Sequence, residues 1–415
     1  MTNTTPPETA EELVRTPGKL NGDHRRAMLA GFCGWLLDAF DFFLITFCLT
    51  AIAREFHRSD AAIALVITMT MAFRPIGGFV FGMLADRYGR RRPLMVNLAL
   101  FAVVEVLTGL APNYATLLVA RSLFGVVMGG QWGVGASLVM EKAPAHSRGM
   151  FSGLLQEGYA AGNVLAALAF FLFFGRLGWR PLFFLGSLPA LLLAVLIRFG
   201  VSESEVWEKA RVQTWGEQLR EMVSHWKLFL YLTVLMTMMK CVSHGTQDMY
   251  PTFLERQWHF GPSQRSVITG ISMIGAILGS LVIGFLSDRY GRRRAMIGAL
   301  LGGILMVPLW AYAPSTALLV LGAFLVQFMV QGSWGIIPAH LSELSPDSVR
   351  GFLPGFAYQC GVLVASSVVY IEAVFARTMT YATAMALTAV TVFALAAIVA
   401  AAGKERKGHV FGAGI

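Results

Sequence analysis

Runs of about twenty apolar residues recur from one end of this chain to the other, twelve times in 415 residues. Each is as long as the roughly 20 residues an α-helix needs to cross a bilayer. Hydrocarbon offers backbone N–H and C=O groups no water, so such runs must bond internally, as helices. Only 14% of the residues are charged, against about 25% in a soluble domain. The chain is therefore expected to be an all-α membrane protein. Its twelve spans lie near 27–53, 62–84, 94–112, 116–140, 149–174, 180–199, 226–252, 264–286, 295–313, 316–341, 351–375 and 380–402.

The chain also repeats itself. GMLADRYGRRRPLM starts at Gly82 and GFLSDRYGRRRAMI at Gly284, an offset of 202. The same offset carries Trp132-Gly133 to Trp334-Gly335, Glu141 to Glu343, Arg148-Gly149 to Arg350-Gly351, and Thr50 and Arg54 to Thr252 and Arg256. One offset across several elements indicates a duplication. The expected organisation is a tail (1–26), a six-helix bundle (27–199), a polar linker (200–225), a second, pseudo-symmetric six-helix bundle (226–402) and a tail (403–415). With the N-terminus inside, cytoplasmic segments hold 23 Lys and Arg and the opposite loops hold 7. That bias places both termini in the cytoplasm. It also accounts for the net charge of +9 without invoking nucleic acid. Cys33, Cys48, Cys241 and Cys360 sit in apolar segments with no metal-ligand spacing, and read as packing residues.

Polar groups inside such spans carry the functional information, because each costs about 2.5–3.5 kcal/mol on insertion scales and must face protein or water. Lys240, His244, Gln247 and Asp248, in KCVSHGTQDMYPT, fall within roughly one third of a helix face. Arg74 sits midway along the second span, where a guanidinium forks onto a carboxylate. It is either the anchor of an anionic substrate or a structural partner of Asp38 or Asp41. The latter two share a face of the first span. Lys240 lies one offset from Asp38, so the two are expected at pseudo-symmetric positions, able to pair in one state and part in another. Gln156, Tyr159 and Gln359 offer neutral hydrogen-bonding groups to a polar solute or to neighbouring helices. Asp248 reads equally as a proton carrier and as a cap where Pro251 ends its helix. Glu157 and Glu372 are further embedded acids, and Glu105 has no evident place.

These motifs make the chain resemble the major facilitator superfamily along essentially its whole length. Gly82, Asp86, Arg87, Gly89, Arg90 and Arg91 match that superfamily's loop signature, and Gly284, Asp288, Arg289, Gly291, Arg292 and Arg293 repeat it. Arg121, Gly125 and Gly129 look like its fourth-helix motif. Ser243 to Asp248 with Thr252, LLDAFDFF at 36–43, GLLQEGYAAG at 153–162 and Tyr358-Gln359-Cys360-Gly361 are similar to its sialate:proton symporter group, nearest to the lactate/pyruvate permeases. Lys240 stands where that signature opens with Asn, and Val362 where an Asn commonly follows the Gly.

The resemblance implies a proton-coupled symporter of small monocarboxylates such as lactate or pyruvate, working by alternating access; sialate or an aromatic acid is the larger alternative. Substrate contacts are expected from Arg74, His244, Gln247, Gln359, Tyr159 and Gln156. Proton coupling is expected through Asp41, Asp248, Asp38, Arg121 and Lys240. Asp86, Arg87, Arg90, Asp288, Arg289, Arg292, Glu141 and Glu343 are expected to brace the two halves at the cytoplasmic gate. An inside-negative potential opposes anion entry by about 2.3 kcal/mol per charge per 100 mV, which favours co-transport of a proton. No nucleotide loop, metal cluster or nucleophile–base pair is present in the sequence, so neither an enzyme nor a cofactor is expected. A non-transporting sensor on a carrier fold is the alternative of another class. The expected partners are a small organic anion, a proton and the lipid of the cell membrane, with the chain acting as a monomer.

Overall fold

The computed structural model describes residues 22–209, 214–365 and 378–412. Glu372, Arg377 and the distal part of the eleventh span lie outside the described residues. Eleven described helices are long and apolar enough to cross a membrane. In the first half these are α1 (Gly22–Glu55), α2 (Asp60–Tyr88), α3 (Arg91–Gly109), α4 (Tyr114–Lys142), α5 (Arg148–Leu177) and α6 (Arg180–Gly200). The second half has α7 (Trp226–Gln247), α8 (Pro262–Tyr290), α9 (Arg292–Ala311), α10 (Thr316–Trp334), the shorter α11 (Leu353–Ala365) and α12 (Tyr381–Ala402). Ser59, Asn113, Ser315 and Thr380 cap α2, α4, α10 and α12 with side-chain oxygens, each satisfying an orphan backbone N–H.

Two spans depart from the uninterrupted helices expected for them. The seventh stops at Asp248–Met249 and resumes as Tyr250–Arg256, because Pro251 lacks the N–H that would continue the ladder. The tenth stops at Gly335–Ile336 and resumes as Ile337–Leu344, with Pro338 in its first turn. The corresponding stretch of α4 at Trp132–Gly133 runs through unbroken and has no such proline.

Packing repeats with the sequence. In the first half α1 packs on α5, α2 on α4 and α3 on α6; in the second α7 packs on α11, α8 on α10 and α9 on α12. The halves meet chiefly through α5 against α8 and α2 against α11, which the duplication exchanges. Close approach at these seams needs missing side chains. A Cβ on Gly153 of α5 would lie 2.5 Å from the Ser280 carbonyl oxygen of α8. Arg87–Arg92 and Arg289–Arg294 share one face of the bundle, here called the basic face. Gly89 and Gly291 turn the chain there at φ +91° and +100°, values that exclude most side chains.

Both described ends of the chain are tied to this face. Asp23 pairs with Lys142 at 2.7 Å, and Glu405 accepts from the backbone N–H of Arg292 and Arg293. The segment joining the halves contributes two short surface helices, Glu205–Lys209 and Trp215–Ser224. The second carries a Thr214/Glu217 capping box. It is fastened under the basic face by Gln218 donating to the Met83 carbonyl at 2.9 Å and by Arg87 stacked over Trp215.

Candidate functional site

Arg74 is placed by the α2–α4 contact. Gly129 of α4 lets the α2 backbone approach so closely that a Cβ there would collide with the Arg74 carbonyl. Its side chain is 4% exposed and points to the seam between the halves. Nε donates to Gln359 Oε1 of α11 at 2.9 Å, and Gln359 Nε2 in turn donates to the Gly129 carbonyl at 3.0 Å. The guanidinium lies over the Tyr358 ring at 5.7 Å. Nη1 reaches the Met71 sulfur, the guanidinium also lies within reach of the Tyr358 hydroxyl, and Nη2 is buried with no hydrogen-bond partner of its own. The structural alternative, an ion pair with Asp38 or Asp41, does not form: both Asp38 oxygens are buried without a hydrogen bond, and Asp41 turns to Arg121.

Aromatic rings wall the same region. Tyr358 stacks on Trp132 at 4.5 Å and meets Trp334 and Trp35 edge-on. Tyr159 stacks on Trp35 at 5.4 Å and meets Phe43 at 5.2 Å. Trp132 Nε1 donates to Gln156 and Trp334 Nε1 to Ser243, which fixes both indoles. Gln156 thus makes the helix–helix bond that competed with substrate contact. Lys240 reaches in from α7, its Nζ 4.9 Å from the Trp334 ring centre and 5.3 Å from that of Tyr358. The expected Asp38–Lys240 pair is absent from this state.

The remainder of the polar stripe sits nearer the end of α7. His244 Nδ1 and Asp248 are 2.9 Å apart and about one third exposed, and Asp248 closes the last turn of the helix. Gln247 donates to Gln327 of α10 at 2.9 Å, a partner the spacing did not single out. That amide pair lies within the second bundle, so Gln247 is tied to α10 in this state rather than presented to the seam.

Glu105 finds its place deep in the first half. Arg121 pairs with Asp41 at 2.5 Å and lies 3.6 Å from Glu105, with all three side chains fully sealed. Phe124 covers the guanidinium at 4.0 Å. Two carboxylates therefore share one cation in a low-dielectric pocket. Glu157 is buried on α5 beside Ser280.

On the basic face each half grips the other. Asp86 accepts from the backbone N–H of Gly351 (2.7 Å) and Phe352 (3.1 Å) at the start of α11. Asp288 does the same with Gly149 (2.8 Å) and Met150 (2.9 Å) at the start of α5. A carboxylate at a helix N-terminus gains from the unsatisfied N–H groups and the dipole there. Arg90 bridges Asp86 and Glu141, and Arg292 bridges Asp288 and Glu343. Glu343 then reaches Arg148 at 3.1 Å and Glu141 reaches Arg350 at 3.7 Å, both across the halves.

Arg87 and Arg289 depart from the expected brace. One residue beyond the aspartate, 100° around the helix, they lie over the rings of Trp215 and Tyr290. Arg148 and Arg350 were missed as brace residues, although the repeated Arg-Gly pair marked them. So was the C-terminal segment. Phe411 lies under both guanidiniums at 3.8 and 3.7 Å, and the His409 carbonyl accepts from Arg148. Cys48 and Cys241 are buried and Cys33 and Cys360 half-buried.

Comparison with known proteins agrees with this architecture. The family described as the Major Facilitator Superfamily matches residues 31–257 and 242–411. A "Carboxylic acid transporter protein homolog" of Saccharomyces cerevisiae is 30% identical over 369 residues, covering 82% of this chain and 60% of that protein. The chain thus spans less than two thirds of that relative's length. A "Probable 4-methylmuconolactone transporter" of Cupriavidus pinatubonensis is 32% identical over 360 residues, covering 83% and 82%. Among solved structures, the proton:xylose symporter XylE superposes with a TM-score of 0.74 at 18% identity, over 94% of this chain and 98% of that one.

Proposed function

Since the chain belongs to the Major Facilitator Superfamily, a family of membrane transporters and not of enzymes, we propose that it is a proton-coupled symporter of organic-acid anions, working by alternating access. The two bundles, 27–199 and 226–402, rock about the seam that holds Arg74. Each chain contains a complete seam site and works as a monomer in the cell membrane. Both termini lie in the cytoplasm, following the Lys and Arg bias, so the basic face is the cytoplasmic gate. The brace across that face is made in this state.

The observation that carries this reading is the Arg74 guanidinium: buried, held by Gln359, and left with an unpartnered Nη2. A substrate carboxylate supplies the missing acceptor. The cage of Trp35, Trp132, Tyr159, Trp334 and Tyr358 favours an acid with a flat unsaturated or ring-bearing body. Lactate and pyruvate present such rings with little surface to stack on. The names of the relatives, a carboxylic acid and a methylmuconolactone transporter, support an acid of that kind.

The coupling proton sits on the Asp41–Glu105 pair. Two carboxylates facing one guanidinium carry one negative charge too many for a dry pocket, and one proton balances it. His244 and Asp248, open and paired with each other, belong to the outer approach. The test is uptake of benzoate, sorbate and lactate into proteoliposomes with and without an inward proton gradient. Accumulation of the flat acids, driven by the gradient and weakened in Arg74→Lys through a raised KM, is expected. Uptake indifferent to the gradient removes the symport mechanism, and lactate outpacing both flat acids restores the small-monocarboxylate reading.

A further inference from the structure

Arg74 is not the only cation in the site. Lys240 enters from the opposite half, and both charges lie against the same Tyr358 ring. Lys240 carries no carboxylate partner among the described residues. Its Nζ instead lies near the rings of Trp334 and Tyr358 and bonds the Tyr358 hydroxyl. An ammonium over aromatic faces keeps its charge without spending its hydrogen-bond donors on an acid. The acids nearest in the fold are engaged elsewhere or, like Asp38, buried close to Arg74 without an ion pair to Lys240. Asp248 is bonded to His244 and Asp41 to Arg121, while Asp38 has no hydrogen bond to either cation. Two positive charges, one fixed on each half of the molecule, thus meet at one tyrosine.

A monocarboxylate bound at Arg74 leaves the Lys240 charge uncompensated. A flat acid with a carboxylate at each end offers one to each cation and compensates both. We propose that the preferred substrate carries two anionic groups, one on Arg74 and Gln359 and the other on Lys240, with its unsaturated body against the Tyr358 and tryptophan rings. Lys240 is then the residue that selects a dicarboxylate over a monocarboxylate. Because the two cations belong to different halves, such a substrate also ties the halves together when it binds. This inference rests on the organic-acid reading of the seam.

Cis,cis-muconate and sorbate make the test. They share a six-carbon diene chain, and only muconate has the second carboxylate. In proteoliposomes the wild-type protein is expected to take up muconate at least tenfold better than sorbate, the scale set by one charge-assisted hydrogen bond. Lys240→Met should cut the muconate-to-sorbate ratio by about ten- to a hundredfold, and Lys240→Arg should restore most of it. Thermal stabilisation of the purified variant by sorbate checks that it is folded. Equal uptake of the two acids by the wild type, or a ratio that Lys240→Met leaves alone, overturns the proposal while leaving the organic-acid carrier standing. Recovery of the ratio when Asp38→Asn is added to Lys240→Met would mean that Lys240 serves Asp38 and not the substrate. Failure of muconate, sorbate and benzoate alike removes the parent reading as well.

Discussion

Arg74 and Lys240 are both cations in a transmembrane seam, yet their surroundings give them different jobs. Gln359 and Tyr358 hold the Arg74 fork in one orientation, whereas Lys240 rests on rings that any cation could use. Replacing Arg74 by Lys keeps the charge and loses the fork. We expect the KM for a flat acid to rise by about ten- to a hundredfold, the scale of a lost charge-assisted hydrogen bond, measured by initial uptake rates. The Asp41–Glu105–Arg121 cluster makes a second prediction. Asp41→Asn or Glu105→Gln removes the group that exchanges the proton, so gradient-driven accumulation should vanish while substrate exchange at equal concentrations continues. Loss of exchange together with accumulation would assign the cluster a structural role instead. Glu105 could not be placed from its spacing, because α3 meets α1 and α4 only in the folded bundle.

At the level of elements, each cross-brace on the basic face is a helix end seated on the other half's carboxylate. Asp86 holds the start of α11 and Asp288 the start of α5. Asp86→Ala with Asp288→Ala should therefore shift the population toward the cytoplasm-open state, on the order of tenfold or more for two buried bonds to charged groups. Labelling of a cysteine introduced at Ser280, which is buried against Gly153 in this state, reads this out. The C-terminal segment adds a latch. Phe411 and His409 rest on Arg148 and Arg350, one arginine from each half.

Burial and then Arg350, aided by Arg406 and Arg148 against Asp347, lower the His409 pKa below its usual value near 6.5. The docked tail thus prefers the neutral imidazole. Its hold is intact above about pH 6.5 and weakens as pH falls through that value, where the free tail binds the proton more readily. Limited proteolysis of the tail should accelerate between pH 7.5 and 5.5, and His409→Ala should flatten that dependence.

For the whole molecule the testable consequence is orientation. A membrane-impermeant maleimide should label a cysteine at Gln264 in intact cells and one at Lys404 only after permeabilisation; the reverse pattern would invert the carrier. The spans, the duplication and the superfamily were legible in the chain because bilayer thickness and backbone hydrogen bonding act on local composition, and because duplication leaves a constant offset. Arg74, Asp41 and the Asp86/Asp288 signatures were also visible, since charge inside an apolar run is costly enough to stand out. Partners were not visible. That Arg74 bonds Gln359 rather than Asp38, that Gln247 turns to Gln327, and that Phe411 lies beneath two arginines depends on which helix faces meet across the seam. Those meetings follow from close packing between segments up to 285 residues apart, and local pattern carries no record of them.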